Sequence, residues 1–182
     1  MIKHEDLKLL PIDHPMLKVP PNEFQDWDNA EDFGFAIYRK QLDLGGIGLS
    51  ANQVGINAKM FTMGTGNREN HWYIFNPEII HYSDEQVSVE EGCLSAPGLM
   101  LKVKRPEKIT ATYRNRDNEI VMEEFDGLWA RVFLHEYDHM LGQNFLQRVS
   151  KLKLERAIKK FKKMDKKGIF DDVIDQKVNY DL

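Results

Sequence analysis

Apolar positions along the chain fall into three stretches in which apolar residues recur every three or four positions, the spacing of a helix. Helices are predicted at residues 28–43, at about 126–141 and at about 151–165. The second of them has Asp126 as a candidate N-cap and Gly142 as a candidate C-terminal stop. Each helix therefore presents one apolar face that must pack against the rest of the chain.

Between the first two helices the pattern changes to short apolar or alternating segments bounded by turn residues, which is typical of strands. Strands are predicted at residues 59–63, 72–80, 87–95, 99–104, 108–113 and 120–125. The first 25 residues contain four prolines and are predicted to form an extended arm lying on the body. The order of elements predicts an α+β fold, with mainly antiparallel sheets wrapped around the helix at 126–141 and a further helix near the C-terminus.

The composition fits one globular domain. The 182 residues are 42% apolar and 30% charged, which is enough for a core without disulfides. No apolar run approaches the roughly 18 residues of a membrane span, and the first residues lack the apolar core of a signal peptide. The only cysteine is Cys93, which excludes an internal disulfide and fits a reducing compartment.

Charge is distributed unevenly within a net charge of −4. Residues 1–150 carry 15 basic and 23 acidic side chains, whereas residues 151–167 carry nine basic and two acidic ones. The last fifteen residues are acidic again. The body therefore has no polyanion-binding character, and no sequence-specific nucleic-acid binding is expected. The basic helix is either a docking surface for a polyanion or an ordinary solvated face.

The strongest chemical signal lies in the second predicted helix, where His135, Glu136 and His139 form H-E-x-x-H. Residues four positions apart lie on one helix face, so both imidazoles can reach one metal ion. Glu136 can then reach a water at that metal and take its proton. The same pattern also arises by chance, so the motif does not settle the function alone.

Two histidines leave a catalytic metal one protein ligand short, because such sites typically use three. The extended zinc-protease pattern requires a histidine where Phe145 stands. A thermolysin-like site requires a later glutamate, and Glu155, the only one, lies among lysines. Cys93 is the remaining strong donor. A thiolate with two imidazoles suits Fe(II), Zn(II), Co(II) or Ni(II) better than Mg(II).

Three separated segments resemble the three motifs of the peptide deformylase family. They are GIGLSANQ at 46–53, EGCLS at 91–95 and HEYDH at 135–139. The order, the approximate spacing and the D-G-L-x-A-R pattern before the third segment also agree. The resemblance covers about residues 5–165 and implies that residues 1–182 form a single catalytic domain, to which 150–182 contribute a basic helix and an acidic tail.

The resemblance implies a hydrolase that removes the formyl group from the N-terminal formylmethionine of nascent polypeptides and releases formate. This reaction belongs to N-terminal methionine processing during translation. One divalent metal per chain is implied, held by Cys93, His135 and His139. Fe(II) is the expected native ion, with Zn(II), Ni(II) or Co(II) as possible replacements. The expected location is the cytoplasm of a bacterium or of a virus-infected cell, or an organelle.

The resemblance also assigns roles within the site. Glu136 would act as general base and then as general acid. The Gln53 side chain and the Leu94 backbone N–H would form the oxyanion hole. The residues implied to line the pocket for the methionine side chain are Ile47, Gly48, Glu91, Gly92 and Val132. Without the resemblance, Ile47 and Val132 would be interpreted as core residues.

Several positions qualify the resemblance. Ser50 stands where alanine is common. Met100 stands where many relatives carry an arginine near the site mouth, which predicts a more apolar entrance. Arg105 matches a later family arginine and is expected to pair with Glu91. By family pattern Asp138 belongs to the shell around the metal helix, where a carboxylate commonly orients a ligand imidazole. It is not expected to hold the adjacent His139 directly, and a structural salt bridge is an equal alternative.

Two other functions fit part of the pattern. One is a zinc endopeptidase, which Phe145 opposes. The other is a catalytically silent metal-binding or peptide-binding module, for which neither Glu136 nor Gln53 would be needed. The basic C-terminal helix resembles the segment that docks many bacterial deformylases on the ribosome, and a solvated helix face remains the alternative.

Overall fold

The computed structural model describes residues 2–67 and 70–165. The helices and strands in chain order are α1 (Ala30–Asp43), β1 (Gly48–Ser50), β2 (Met60–Gly64), β3 (His71–Tyr82), β4 (Gln86–Cys93), β5 (Ala96–Pro106), β6 (Lys108–Arg114), β7 (Ile120–Asp126), α2 (Gly127–Met140) and α3 (Lys151–Asp165). The three helices and six strands predicted from the sequence are all present, and β1 is additional. The predicted acidic tail lies outside the described residues.

The strands form two antiparallel sheets. The first has five strands in the order β1-β2-β3-β6-β7, and the second is the hairpin of β4 and β5. The α+β fold with mainly antiparallel sheets is confirmed. β1 lies at one edge of the larger sheet, where Gly48 pairs with Met63 and Ser50 with Phe61. The sequence did not predict this strand because it has only three residues.

Helix α2 lies at the centre of the molecule. From Ala130 to Met140 every residue except Tyr137 is buried. The Phe133 ring packs edge-on against Phe61 of β2, with centroids 5.1 Å apart. Such burial contributes on the order of 2 kcal/mol per large apolar side chain. Packing, rather than helix propensity, therefore stabilises this helix.

Both predicted ends of α2 are confirmed to within a residue. Asp126 occupies the N-cap position, although its side chain makes no capping hydrogen bond. Gly142 has φ +66°, and its N–H donates to the His139 carbonyl. A Cβ at Gly142 would also lie 2.6 Å from the backbone of Val19, so the N-terminal arm packs against the helix end. Only glycine combines a positive φ with the close approach of the Val19 backbone at this position.

Helix α3 covers the hairpin sheet. Its buried side chains Leu154, Ile158 and Phe161 form the predicted apolar face. They belong to one cluster with residues of β4, β5 and the following chain, including Cys93, Leu99, Leu101, Val103 and Phe145. The outer face of α3 carries the basic residues. Among the described residues, no helix is long and apolar enough to cross a bilayer.

The N-terminal arm is confirmed as a segment that lies on the body. The Leu10 N–H donates to the Gln53 carbonyl at 2.7 Å, and the Ile12 N–H donates to the Ser95 carbonyl at 2.9 Å. Ile12 is buried in the same cluster as Cys93. The arm therefore connects the two loops that follow β1 and β4.

Candidate functional site

The three predicted ligands meet at one point between the hairpin sheet and α2. The donor atoms of Cys93, His135 and His139 all lie within 4.8 Å of one another. Cys93 Sγ is 3.6 Å from His139 Nε2. Cys93 ends β4, and the two histidines lie one turn apart on α2. Phe145 and Glu155 are not part of this cluster.

The donors are buried, and His139 is in the form that a metal binds. All three residues are buried, and His139 has no exposed surface. Burial lowers the pKa of His139 well below its ordinary value, and the nearby His135 and Arg105 lower it further. The imidazole is therefore neutral, which is the form that binds a metal. The sulfur and nitrogen donors fit a divalent transition metal.

Glu91 orients the first histidine. Its Oε2 lies 3.2 Å from His135 Nδ1. Burial alone would raise the pKa of Glu91, but hydrogen bonds from His135 and Arg105 hold it well below its usual range. An ionised carboxylate can only accept, so Nδ1 carries the proton and Nε2 remains for the metal.

A buried set of charges supports α2 from behind. Arg105 donates to both oxygens of Glu91, at 2.7 and 2.9 Å, and to Asp138 Oδ2 at 2.9 Å. Arg131 also donates to Glu91, at 2.7 Å, and Arg148 pairs with Asp138. The expected Arg105–Glu91 pair is present. Asp138 bonds Arg105 and Arg148, which is the salt-bridge alternative.

The Glu136 carboxylate lies beside the cluster with its two oxygens in different surroundings. Ser50 Oγ donates to Oε2 at 2.5 Å. The other oxygen faces β1, where a Cβ added to Gly48 would lie 2.6 Å from Oε1. Burial raises the pKa of Glu136, while the His135 charge and the Ser50 hydrogen bond act in the opposite direction. Gly48 is thus required for the close approach of backbone and carboxylate.

Gln53 is held with its amide nitrogen toward the cluster. Ser50 N–H donates to Oε1 at 3.0 Å. Nε2 donates to Ser95 Oγ at 3.0 Å and lies 3.4 Å from Cys93 Sγ. Leu94 follows Cys93 directly, in the turn between β4 and β5. The sequence analysis assigned no role to Ser50. The available indication of a role was a serine at a position where alanine is common.

A cavity of about 1070 Å³ connects these groups. Cys93, His135, Glu136, Gln53 and Leu94 all border it. The five residues predicted for the methionine pocket line the same cavity: Ile47, Gly48, Glu91, Gly92 and Val132. The structure thus brings every predicted site residue except the fully buried His139 to one cavity wall.

Exposed apolar side chains, including Met100, line the cavity alongside the charged residues Glu5, Lys8, Lys40 and Glu90. Met100 is 51% exposed and lines the cavity together with Val89 and Leu128, which are 46% and 54% exposed. Sequence reasoning missed the last two residues. Leu128 shares the helical spacing of Val132 and His135, but it lies in the first turn of α2, before the helix enters the core. The alternating pattern of β4 was the available signal for Val89.

The fold and this centre are those of a class of metal-dependent hydrolases, in which one cysteine and two histidines of a helix lie beside a buried glutamate. The family model described as "Polypeptide deformylase" matches residues 7–155. The chain belongs to the peptide deformylase family, which is an enzyme family. The family expected from the three sequence motifs is confirmed.

Relatives and solved structures agree with this assignment. A protein of Phenylobacterium zucineum named peptide deformylase is 36% identical over 163 residues, which cover 86% of this chain and 95% of the relative. The crystal structure of peptide deformylase from Thermotoga maritima has a TM-score of 0.75 at 32% identity. The match covers 79% of this chain and 97% of the Thermotoga maritima chain. The crystal structure of a peptide deformylase from Synechococcus elongatus in complex with actinonin has a TM-score of 0.78 at 31% identity. The match covers 89% of this chain and 86% of the Synechococcus elongatus chain.

Proposed function

We propose that this chain hydrolyses the N-formyl amide of formylmethionine at the N-terminus of nascent polypeptides and releases formate. The observation that carries the proposal is a shared cavity. Cys93 and His135 of the Cys-His-His cluster, the buried Glu136 side chain and the Gln53 side chain all border it. A binding module would need neither Glu136 nor Gln53 in these positions.

Cys93, His135 and His139 would hold one divalent metal ion. When bound, such an ion is a Lewis acid that lowers the pKa of a water molecule in its coordination sphere. We infer that Fe(II) is the native ion. Zn(II), Ni(II) and Co(II) also fit, because a thiolate with two neutral imidazoles accepts each of them.

Glu136 moves the proton. Its Oε1 is the oxygen not held by Ser50, and it takes the proton of the attacking water. The new C–O bond forms at the formyl carbon, and the C–N bond then breaks. Glu136 delivers the proton to the departing α-amine of methionine, and the formyl carbon leaves as formate. The carboxylate is thereby returned to its starting form.

Two donors stabilise the negative charge that develops on the formyl oxygen. They are the Gln53 Nε2 amide and the Leu94 backbone N–H, which would act as an oxyanion hole. The fixed orientation of Gln53 supports this role, because Ser50 N–H holds the acceptor end of the amide. Nε2 donates to Ser95 Oγ and lies near Cys93 Sγ, so the formyl oxygen would replace one of these two acceptors.

The free edge of β1 would bind the substrate backbone. Ile47 and Gly48 can pair with it as an added strand, which leaves the methionine side chain among apolar groups of the cavity. Glu91, Gly92 and Val132 complete that wall. The missing side chain at Gly48 keeps the strand edge close to Glu136.

Formate release from formyl-Met-Ala-Ser by protein purified without oxygen tests the proposal. We expect stoichiometric formate and free Met-Ala-Ser, with about one metal ion per chain. An endopeptidase would instead cleave an internal peptide bond and leave the formyl group in place. A silent binding module would produce neither product. Either of those results would remove the proposed activity.

The outer face of α3 is proposed to dock on the ribosome. Lys153, Lys159 and Lys160 are exposed there, and such a surface suits a phosphate-rich partner. A solvated helix face without a partner is the alternative. Activity on nascent chains would place the protein wherever formylated chains are made: the cytoplasm of a bacterium or of a virus-infected cell, or an organelle.

Replacing these three lysines by glutamine is expected to abolish salt-sensitive co-sedimentation with ribosomes, because phosphate contacts would be lost. The control is glutamine at Lys102, Lys104 and Lys108, which are exposed on the body. Deletion of α3 is unsuitable, since the helix packs over the cluster that contains Cys93. Equal co-sedimentation of both triple variants and the parent would leave α3 as a solvated helix.

A further inference from the structure

Ser50 occupies a position between the two side chains proposed to act on the substrate. It has no exposed surface. Its hydroxyl donates to Glu136 Oε2 at 2.5 Å, and its backbone N–H donates to Gln53 Oε1 at 3.0 Å. One residue of the loop that begins at β1 thus contacts a helix residue 86 positions away and a side chain three positions away.

We propose that Ser50 is a positioning residue, whose hydroxyl fixes the Glu136 carboxylate so that Oε1 points to the formyl group. This inference rests on the proposed deformylase function and adds a residue to it. Resemblance to the family gives no such role to this position, where alanine is common and no hydroxyl is available.

The physical argument concerns the last torsion of the glutamate. The terminal torsion of a glutamate side chain has a broad, roughly two-fold energy profile, so sterics alone fix it poorly. A charge-assisted hydrogen bond to one oxygen selects one orientation and also compensates part of the cost of burying the charge. With Oε2 engaged, the lone pairs of Oε1 are left for the proton of the water. Near-attack geometry of this kind contributes to rate and not to affinity.

The backbone bond from Ser50 to Gln53 is independent of the side chain. Ser50→Ala would therefore remove the hydroxyl and leave Gln53 held. Alanine also fits the volume, because it is smaller and common in the family. This substitution removes the hydroxyl's bond to Glu136 together with its capping contact to the Gln53 backbone N–H, and it leaves the Gln53 side chain bonded to the Ser50 backbone.

The test compares formate release by the parent, Ser50→Ala, Ser50→Gly and Ser50→Thr. We expect kcat to fall about fivefold in the alanine and glycine variants, with KM within about twofold of the parent. Threonine keeps the hydroxyl and is expected to retain more activity than alanine. Ser88→Ala, which removes an exposed hydroxyl on β4, is expected to change neither constant.

A merely structural role would give another result. It would lower the metal content or the fraction of active chains, both of which are measured for every variant. As a second readout, thermal unfolding of Ser50→Ala, Glu136→Ala and the double variant should show coupling, because the serine loses its partner in Glu136→Ala.

The outcomes separate two failures. A parent that releases no formate overturns the proposed function and this inference with it. An active parent together with an alanine variant of equal kcat overturns the positioning role alone. The same holds for additive unfolding effects of the two single substitutions.

Discussion

Glu136→Gln is expected to lower kcat for formate release by about three orders of magnitude, while the protein keeps its metal. The amide has nearly the same shape as the carboxylate but cannot take a proton from water. General base and acid catalysis by a positioned side chain typically contributes a factor of about 10²–10⁴. Because none of the three ligand side chains is altered, metal content should remain at the parent value. Single-turnover formate release and metal analysis of the same preparation check both parts.

Two further variants make this result specific. Cys93→Ala removes a ligand and is expected to lose both metal and activity, which distinguishes metal loss from loss of the proton acceptor. Glu124→Gln changes an exposed glutamate of β7 and is expected to behave like the parent. A Glu136→Gln enzyme with near-parent turnover would show that another group carries the proton.

Arg105→Met is expected to lower the free energy of unfolding by about 3–5 kcal/mol. The Arg105 side chain is only 3% exposed and bridges Glu91 to Asp138. Its removal leaves two buried carboxylates short of a charge partner, although Arg131 still reaches Glu91 and Arg148 still reaches Asp138. Methionine fills much of the volume, so the loss is electrostatic rather than a cavity effect. Urea unfolding of the metal-free proteins measures the difference.

Arg116→Met provides the matched comparison. Arg116 also pairs with a glutamate, Glu31, but both side chains are more than half exposed. Exposed pairs contribute roughly 0–1 kcal/mol, because water and salt screen them. A loss below 1 kcal/mol in Arg105→Met as well would mean that the buried charges are satisfied without the bridging arginine.

The ligand set was predictable because its geometry is local or strongly patterned. His135 and His139 are one turn apart on any helix, and the apolar spacing from Leu128 onward required that helix. Gly142 marked the end of α2 through its positive φ. Cys93 followed as the remaining donor and from the resemblance. Short-range rules thus predicted the helix and the ligands His135 and His139. The assignment of Cys93 also needed the EGCLS motif around it.

Other features depend on tertiary contacts that no sequence spacing encodes. The Ser50–Glu136 hydrogen bond joins residues 86 positions apart. β1 has three residues, and the strand depends on its pairing with β2. Leu128 shares the helical period of buried residues yet is exposed, because periodicity gives a direction around the helix and not the depth at which the helix meets the core. These features followed only from the assembled fold.

Helix α3 shares its hydrophobic cluster with Cys93, and this gives the end of the chain a protective role. Leu154, Ile158 and Phe161 belong to the buried cluster that also contains Cys93. A chain that stopped before Lys151 would leave that side open to solvent and dissolved oxygen. Thiolates are lost to oxidation according to their accessibility. We therefore expect the lifetime of the reduced centre in air to depend on a helix that contributes no ligand to it.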